Sequence, residues 1–297
     1  MYEEITSNKI KSVLLVLFFL IFISFFMYVA GRILYFGPAI IPIAVIIAIA
    51  LALFQYYKGD KIVLKISHAK PVSKQELPYL YNVTEGLSLA AGLPMPALYT
   101  IDDGATNAFA TGRDPNHASI AVTTGLIEKL NRKELEGVIA HEMSHIKNYD
   151  MRLMTMAVVM AGIVVLISDM ILRSFWWGGV RTGRRRGEDN SAVMVIVALG
   201  FVLAILAPII AKIIQLAISR KREFLADASA AELTRYPPGL ASALKKIAND
   251  DDPLDAANKA TECLYIANPL QGVKGWSTKL FSTHPPIAER ISALEKM

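Results

Sequence analysis

Cysteine is almost absent: Cys263 is the single one in 297 residues. That excludes an internal disulfide framework and a thiolate-bound metal site, and Cys263 reads as a small core residue rather than a nucleophile. Charge is sparse as well, at 19% of residues, and the net balance of +5 is modest and spread along the chain. No basic stripe of the kind that binds nucleic acid is present, so no nucleic-acid partner is expected. Histidine is scarce, with five in all, and there are no internal repeats.

What fills the chain instead is apolar: 54% of residues, gathered in four segments. Residues 12–31 form an uncharged run. Residues 33–57 form a second, broken early by Gly37-Pro38. Residues 153–172 form a third, interrupted by Asp169, and residues 191–211 a fourth that contains Pro208 and continues past Lys212 to Ile218. Each is close to the roughly 20 residues a helix needs to cross a bilayer. The first two read as transmembrane helices; the other two read as spans or as deeply buried core helices. The first segment lacks a small-residue cleavage site and is followed at once by another apolar run. It is therefore expected to be a retained anchor, not a signal peptide.

The chain thus alternates between membrane and polar parts. Residues 1–57 are expected to form a transmembrane hairpin, 58–150 the first part of a catalytic domain, 151–218 a second hydrophobic hairpin, and 219–297 the second part of the catalytic domain. The expected fold class is a mostly α integral membrane protein with four hydrophobic helices and an α+β domain outside the membrane. Residues 97–101 and 117–123 read as strands, and the turn cluster at 111–116 lets residues 107–110 pair back as a hairpin arm. A strand beside an active site can hold a peptide as one more strand; a purely structural hairpin fits the pattern equally well.

The chemistry is concentrated in His141-Glu142-Met143-Ser144-His145, an H-E-x-x-H pattern on an expected helix over residues 132–150. Positions four apart share a helix face, so both imidazoles can reach one metal ion while Glu142 contacts a water held there. Taken alone the pattern also describes two solvated histidines. The small and apolar residues before it, Gly137-Val138-Ile139-Ala140, point to a buried helix, where polar groups need partners. Downstream, Glu223 and Asp227 are again four apart. Glu223 fits the third ligand, and Asp227 fits an acceptor for the other N–H of a ligand histidine; alternatively both are surface acids paired with Arg220, Lys221 and Arg222. The expected cofactor is one Zn2+ per chain. His68 and His117 have no partner at ligand spacing and read as surface or strand residues.

The H-E-x-x-H helix runs into the third apolar segment, and the fourth runs into the helix carrying Glu223. At 1.5 Å per residue His145 lies about 10 Å of helix from Arg152, and Glu223 about 16 Å from Lys212, so the metal should sit just above the membrane surface. Lys9 and Lys11 before the first segment, against Arg32 alone after it, favour the N-terminus and catalytic part inside. The loop over 173–190 disagrees, with Arg173, Arg181, Arg184, Arg185 and Arg186 on the side expected to be external. It fits a solvated turn, or a contact with anionic lipid.

Together H-E-M-S-H, E-F-L-A-D after a hydrophobic hairpin, N-A-F-A-T-G upstream and T-H-P-P near the end resemble the HtpX-like membrane zinc metalloproteases, relatives of the CaaX prenyl endopeptidases. The match runs over most of the chain. The resemblance implies a gluzincin in a prokaryotic cell membrane, with its zinc site facing the cytoplasm, that cleaves misfolded or damaged membrane proteins. It supports His141, His145 and Glu223 as zinc ligands, Glu142 as the base, and Asn107-Ala108-Phe109 as part of a substrate-binding edge beside the H-E-x-x-H helix. The expected reaction is attack of metal-activated water on a peptide bond, with His284 or Arg290 as donor to the oxyanion. Thr283 or His284 could equally cap the helix that Pro285-Pro286 begins. The expected partners are a membrane-protein or peptide substrate and the lipid bilayer. Three rivals stand beside this reading. One is a site-specific processing peptidase of the CaaX type. Another is a non-catalytic zinc scaffold, which would want four protein ligands that this chain hardly offers. The third is a transporter, for which Asp169 and Lys212 lie too near segment ends.

Overall fold

The computed structural model describes residues 2–33, 37, 39–177, 202, 220–250, 252, 254, 261–267 and 285–297. The expected fourth apolar segment therefore lies outside the described residues, except for Val202, as do most of the Arg-rich loop and His284.

Two long helices, α1 (Tyr2–Ile33) and α2 (Ile40–Ile66), form the N-terminal hairpin. Between them Gly37 is not helical, in line with the break that Gly37-Pro38 indicates in the sequence. A third long helix, α6 (Asp150–Trp177), packs against both. The seam is made by Phe19 and Ile23 of α1, Ala48 of α2, and Met156, Met160 and Val164 of α6. All three helices are long and apolar enough to cross a membrane. They differ in what covers them: 17% and 22% of the apolar windows of α1 and α2 are buried, against 67% for α6, which packs against both other helices and against the segments 108–112 and 132–147 as well. Leu14, Ile21, Phe25, Ile46 and Leu53 stay exposed on the first two.

At one end of this bundle cations sit over aromatic rings. Lys9 lies 4.5 Å from the Tyr149 ring, Arg152 5.3 Å from Tyr56, and Arg113 5.1 Å from Tyr57. Amphipathic pairs of this kind suit the boundary between lipid and water. They put the N-terminus of α1 on the same side as the rest of the domain.

Beyond the collar lies a small mixed sheet and a helical layer. The strands are β1 (Lys70–Pro71), β2 (Ala97–Ile101), β3 (Ala108–Gly112) and β4 (Ala118–Thr123), in the order β1-β2-β4-β3. β2 and β4 run parallel, and β3 pairs antiparallel with β4, with Ala110 opposite Ile120. The hairpin expected from the turn cluster thus exists, and its N-terminal arm is the outer strand. Gly112 has φ 147°, and a Cβ there would lie 2.4 Å from the His117 carbonyl, so only glycine closes this hairpin. The helices are α3 (Pro78–Ala91), α4 (Thr124–Lys129), α5 (Arg132–Lys147), α7 (Arg220–Thr234), α8 (Pro237–Ala248) and α9 (Ile287–Leu294).

Helix α5 is the central element. It starts on a capping box: the Asn131 side chain accepts from the Lys133 and Glu134 N–H groups, and Glu134 accepts from the Asn131 N–H. From Gly137 to Ile146 every residue is buried. Helices α7, α8 and α3 pack around it. A Cβ on Gly137 would lie 2.7 Å from the Leu240 nitrogen, so glycine allows α8 its close approach. On α7, Ala226, Ala230 and Ala231 play the same part through small size. Helix α5 ends at Asn148, and Tyr149 takes a left-handed conformation (φ 60°) that turns the chain sharply into α6.

Candidate metal centre

Helix α5 places His141 and His145 on one buried face, with ring centroids 4.7 Å apart. Helix α7 brings Glu223 to the same point. His141 Nε2 and His145 Nε2 are 3.1 Å apart, and each is 3.7 Å from a Glu223 carboxylate oxygen. All three donors lie within 4.8 Å of one another. Ligands of one tetrahedral zinc at 2.0–2.1 Å stand roughly 3.3 Å apart, so the three fit a common ion. The type of donor fits as well: two imidazoles and a carboxylate suit zinc.

The surrounding residues settle which ring nitrogens face that point. His141 Nδ1 lies 2.9 Å from Asp227 Oδ1, so Asp227 accepts its N–H and leaves Nε2 for a ligand bond. Asp227 is itself held by two bonds from Arg290, Nε at 2.8 Å and Nη2 at 2.7 Å. Burial opposes the Asp227 charge, but Arg290 outweighs it and keeps the pKa below its usual value. His145 Nδ1 lies 3.2 Å from Asp150 Oδ2. Burial and the Arg290 charge lower the His141 pKa to about 4. For His145 burial works against protonation, yet the Asp150 bond and the charges of Glu223, Asp150 and Glu142 raise it to about 9.

Glu142 is buried, and one of its carboxylate oxygens has no hydrogen-bond partner among the described residues. Burial pushes its pKa up to about 7, with the Glu223 charge adding to that and His145, Arg290 and the Ala110 N–H opposing it. A buried carboxyl poised near neutrality suits proton exchange with water.

Strand β3 borders this centre. Asn107 Oδ1 accepts from the Ala108 N–H, and Asn107 Nδ2 donates to the Ala267 carbonyl at 3.2 Å. The Ala108 carbonyl accepts the Ile266 N–H at 2.9 Å, and Phe109 forms an antiparallel bridge with Tyr265. Residues 265–267 therefore run along the free edge of β3, and Arg290 Nη1 donates to the Ile266 carbonyl at 2.8 Å. The Phe109 ring is turned into the core, edge-on to Tyr265 at 5.1 Å, so only its backbone belongs to the edge.

The structure thus gathers His141, His145, Glu223, Asp227 and Glu142 at one point, with Asn107 and Ala108 at its border. Of the two donors considered for the oxyanion, Arg290 is in the site, and His284 lies outside the described residues. Asp150, just beyond the second histidine in sequence, contacts His145 directly. His117 bonds Asp114 at 2.8 Å on the surface, and His68 sits in a turn with φ 54°. Two participants escaped sequence reasoning. The self-paired segment 265–267 has no motif of its own, and Asn8, which reaches Asp150 from α1, is a single amide before the first apolar run.

Known proteins align with this picture. The model of peptidase family M48 matches residues 74–297. A protease HtpX homolog of Dictyoglomus turgidum is 49% identical over 298 residues, covering all of this chain and 94% of its own. One from Tropheryma whipplei strain Twist is 45% identical over 297 residues, covering 100% and 98%. Among solved structures, the crystal structure of S. mikatae Ste24p superposes with a TM-score of 0.50 at 20% identity, over 99% of this chain and 67% of that one, which supports the fold. The chain belongs to peptidase family M48 and is a membrane metalloprotease of the HtpX-like kind.

Proposed function

We propose that this chain is a zinc-dependent endopeptidase that cleaves misfolded or damaged membrane proteins from the cytoplasmic face of a prokaryotic cell membrane. The observation that carries the zinc assignment is the buried set His141, His145 and Glu223, three donors converging without a fourth protein ligand among the described residues. Zinc bound there would supply Lewis acidity, lowering the pKa of water and polarising the scissile carbonyl. Glu142 takes the proton from water and returns it to the leaving amine. Asp227 and Asp150 hold the two imidazoles by their outer nitrogens. Arg290 Nη1 already donates to a backbone carbonyl in the cleft and is the donor placed to steady a substrate carbonyl.

Strand β3 is the proposed substrate rail. Its edge demonstrably accepts an extended chain, because residues 265–267 pair with it. A substrate strand would compete with Ile266 for the Ala108 carbonyl and with Ala267 for the Asn107 amide. Main-chain pairing of this kind reads backbone, not side chains, which suits a protease acting on unfolded segments of varied sequence. The exposed apolar faces of α1 and α2 keep the site at the membrane, and Lys9 and Lys11 favour its cytoplasmic placement.

Mapping the cuts made by the detergent-purified protein in several destabilised membrane proteins tests the substrate class. Scattered cuts in unfolded segments, absent from the folded forms, are expected. One fixed cut in a single substrate, with none in the others, would replace quality control by site-specific processing.

A further inference from the structure

We infer that Asn8, on the first membrane helix, is a positioning residue for His145 and acts through Asp150. The inference rests on the reading of His145 as a zinc ligand. Asn8 stands near the start of the candidate span in α1, before the uncharged run that opens at Ser12, and is fully buried. Its amide hydrogen bonds are all directed at the corner between α5 and α6 and at α7. Nδ2 donates to Asp150 Oδ1 at 2.6 Å and to the Asn148 carbonyl at 2.9 Å, while Oδ1 accepts from Arg222 Nη1 at 3.1 Å.

Asp150 is the hinge of this cluster. One oxygen faces His145 Nδ1; the other receives both Asn8 and Arg222 Nη1, the latter at 3.1 Å. Holding Oδ1 from two sides fixes the carboxylate plane and hence the direction in which Oδ2 meets the imidazole. Arg222 precedes Glu223 on α7, so the same amide ties α1 to the helix that carries Glu223 as well as to Asp150 beside His145. The partners are 142 and 214 residues from Asn8 in sequence. Packing alone does not call for this residue: an aliphatic side chain of similar size would fill the same buried space without an amide whose hydrogen bonds must be met. The carboxamide is suited to bridge an acid and a guanidinium, since it donates to one and accepts from the other. The seating of α1 in the membrane bundle is thereby transmitted to the imidazole of His145.

Zinc affinity and the visible spectrum of the cobalt-substituted full-length protein in detergent test this. Loss of a residue that orients a metal-bound histidine typically weakens the metal by about 10–100-fold, and Asn8 stands one bond further out, so Asn8→Leu should weaken zinc by about tenfold. Its cobalt spectrum should shift, because the ligand field reports ligand orientation, which a merely structural residue would not move. Ser12→Ala is the matched control: Ser12 is buried on the same helix and, among the described residues, its hydroxyl bonds the Asn8 carbonyl alone, and it should leave both readouts unchanged. If Asn8→Leu is not recovered folded, Asn8→Ser, which keeps a polar group too short to reach Asp150, takes its place with the same expectation. Native zinc affinity and an unaltered cobalt spectrum in the Asn8 variants, with zinc lost in His145→Ala, would overturn the inference and leave the metal site standing. Zinc binding unaffected by His145→Ala would overturn the site reading itself, and the inference with it.

Discussion

The hairpin α1/α2 and the centre around His141 invert the usual distribution of side chains in opposite ways. On the hairpin, Ile21, Phe25 and Ile46 are 70%, 65% and 65% exposed. In the centre, His141, Glu142, Glu223, Asp227 and Arg290 are almost wholly buried. Exposed apolar surface on this scale and buried ionisable groups at this density are each costly in water. Lipid would relieve the first; ion pairs with Arg290 and Asp150 relieve the second in part, and the proposed metal ion would relieve the rest. The two regions meet at Asn8, Asp150 and the cation–aromatic collar, where α5 turns into α6. A membrane protease needs both inversions, and the fold joins them through one corner.

Removing the carboxylate of the third ligand should have the largest effect. Glu223→Ala should abolish stoichiometric zinc binding measured by metal analysis after dialysis, and proteolysis with it, because two imidazoles remain. Full zinc content in that variant would break the comparison on its buried side. On the lipid side, Ile21→Lys should reduce membrane insertion by about 2.5–3.5 kcal/mol at mid-helix, read as the fraction resisting carbonate extraction. In an aqueous protein an exposed apolar residue exchanged for lysine costs almost nothing, so a neutral result would mean that this face does not meet lipid.

Asp227→Asn retains the shape and one acceptor but removes the charge that Arg290 and His141 share. Zinc affinity should fall by roughly 10–100-fold, with the fold intact by circular dichroism. A smaller effect is expected far from both inversions. Glu134 caps α5 and accepts from Ser242 at 2.6 Å and Lys246 at 2.7 Å. Burial pushes its pKa up, but the Lys246, Ser242 and Asn131 bonds outweigh that and hold it below 4.5. Glu134→Gln should therefore cost about 1 kcal/mol at neutral pH. The native carboxylate's advantage is complete above pH 4.5 and is lost as the pH falls through the lowered folded value, so the two melting curves should converge in acid.

Legibility in the sequence followed the range of the interactions. His141 and His145 share a helix turn, as do Glu223 and Asp227, so each pair was visible from spacing alone; that the pairs meet followed from the apolar segments that lead away from one and back to the other. The β3–β4 hairpin was visible because its turn residues are local. The pairing of residues 265–267 with β3 was not, because 264–267 reads simply as a short apolar run and its partner lies far upstream. Asn8 was hidden for the same reason: a single amide near a helix end carries no period, and its meaning exists only once Asp150 and Arg222 are beside it. Arg290 was named from its place after Pro285-Pro286, while its two bonds to Asp227 appear only in three dimensions.

The most direct test is zinc content and proteolysis measured together on the native protein and on Glu142→Gln. One zinc per chain in both, with cleavage of a membrane-protein substrate falling by roughly 100-fold or more in the variant, is the predicted result. Zinc in both with equal cleavage would contradict the role of Glu142, and absence of zinc from both would contradict the metal centre itself.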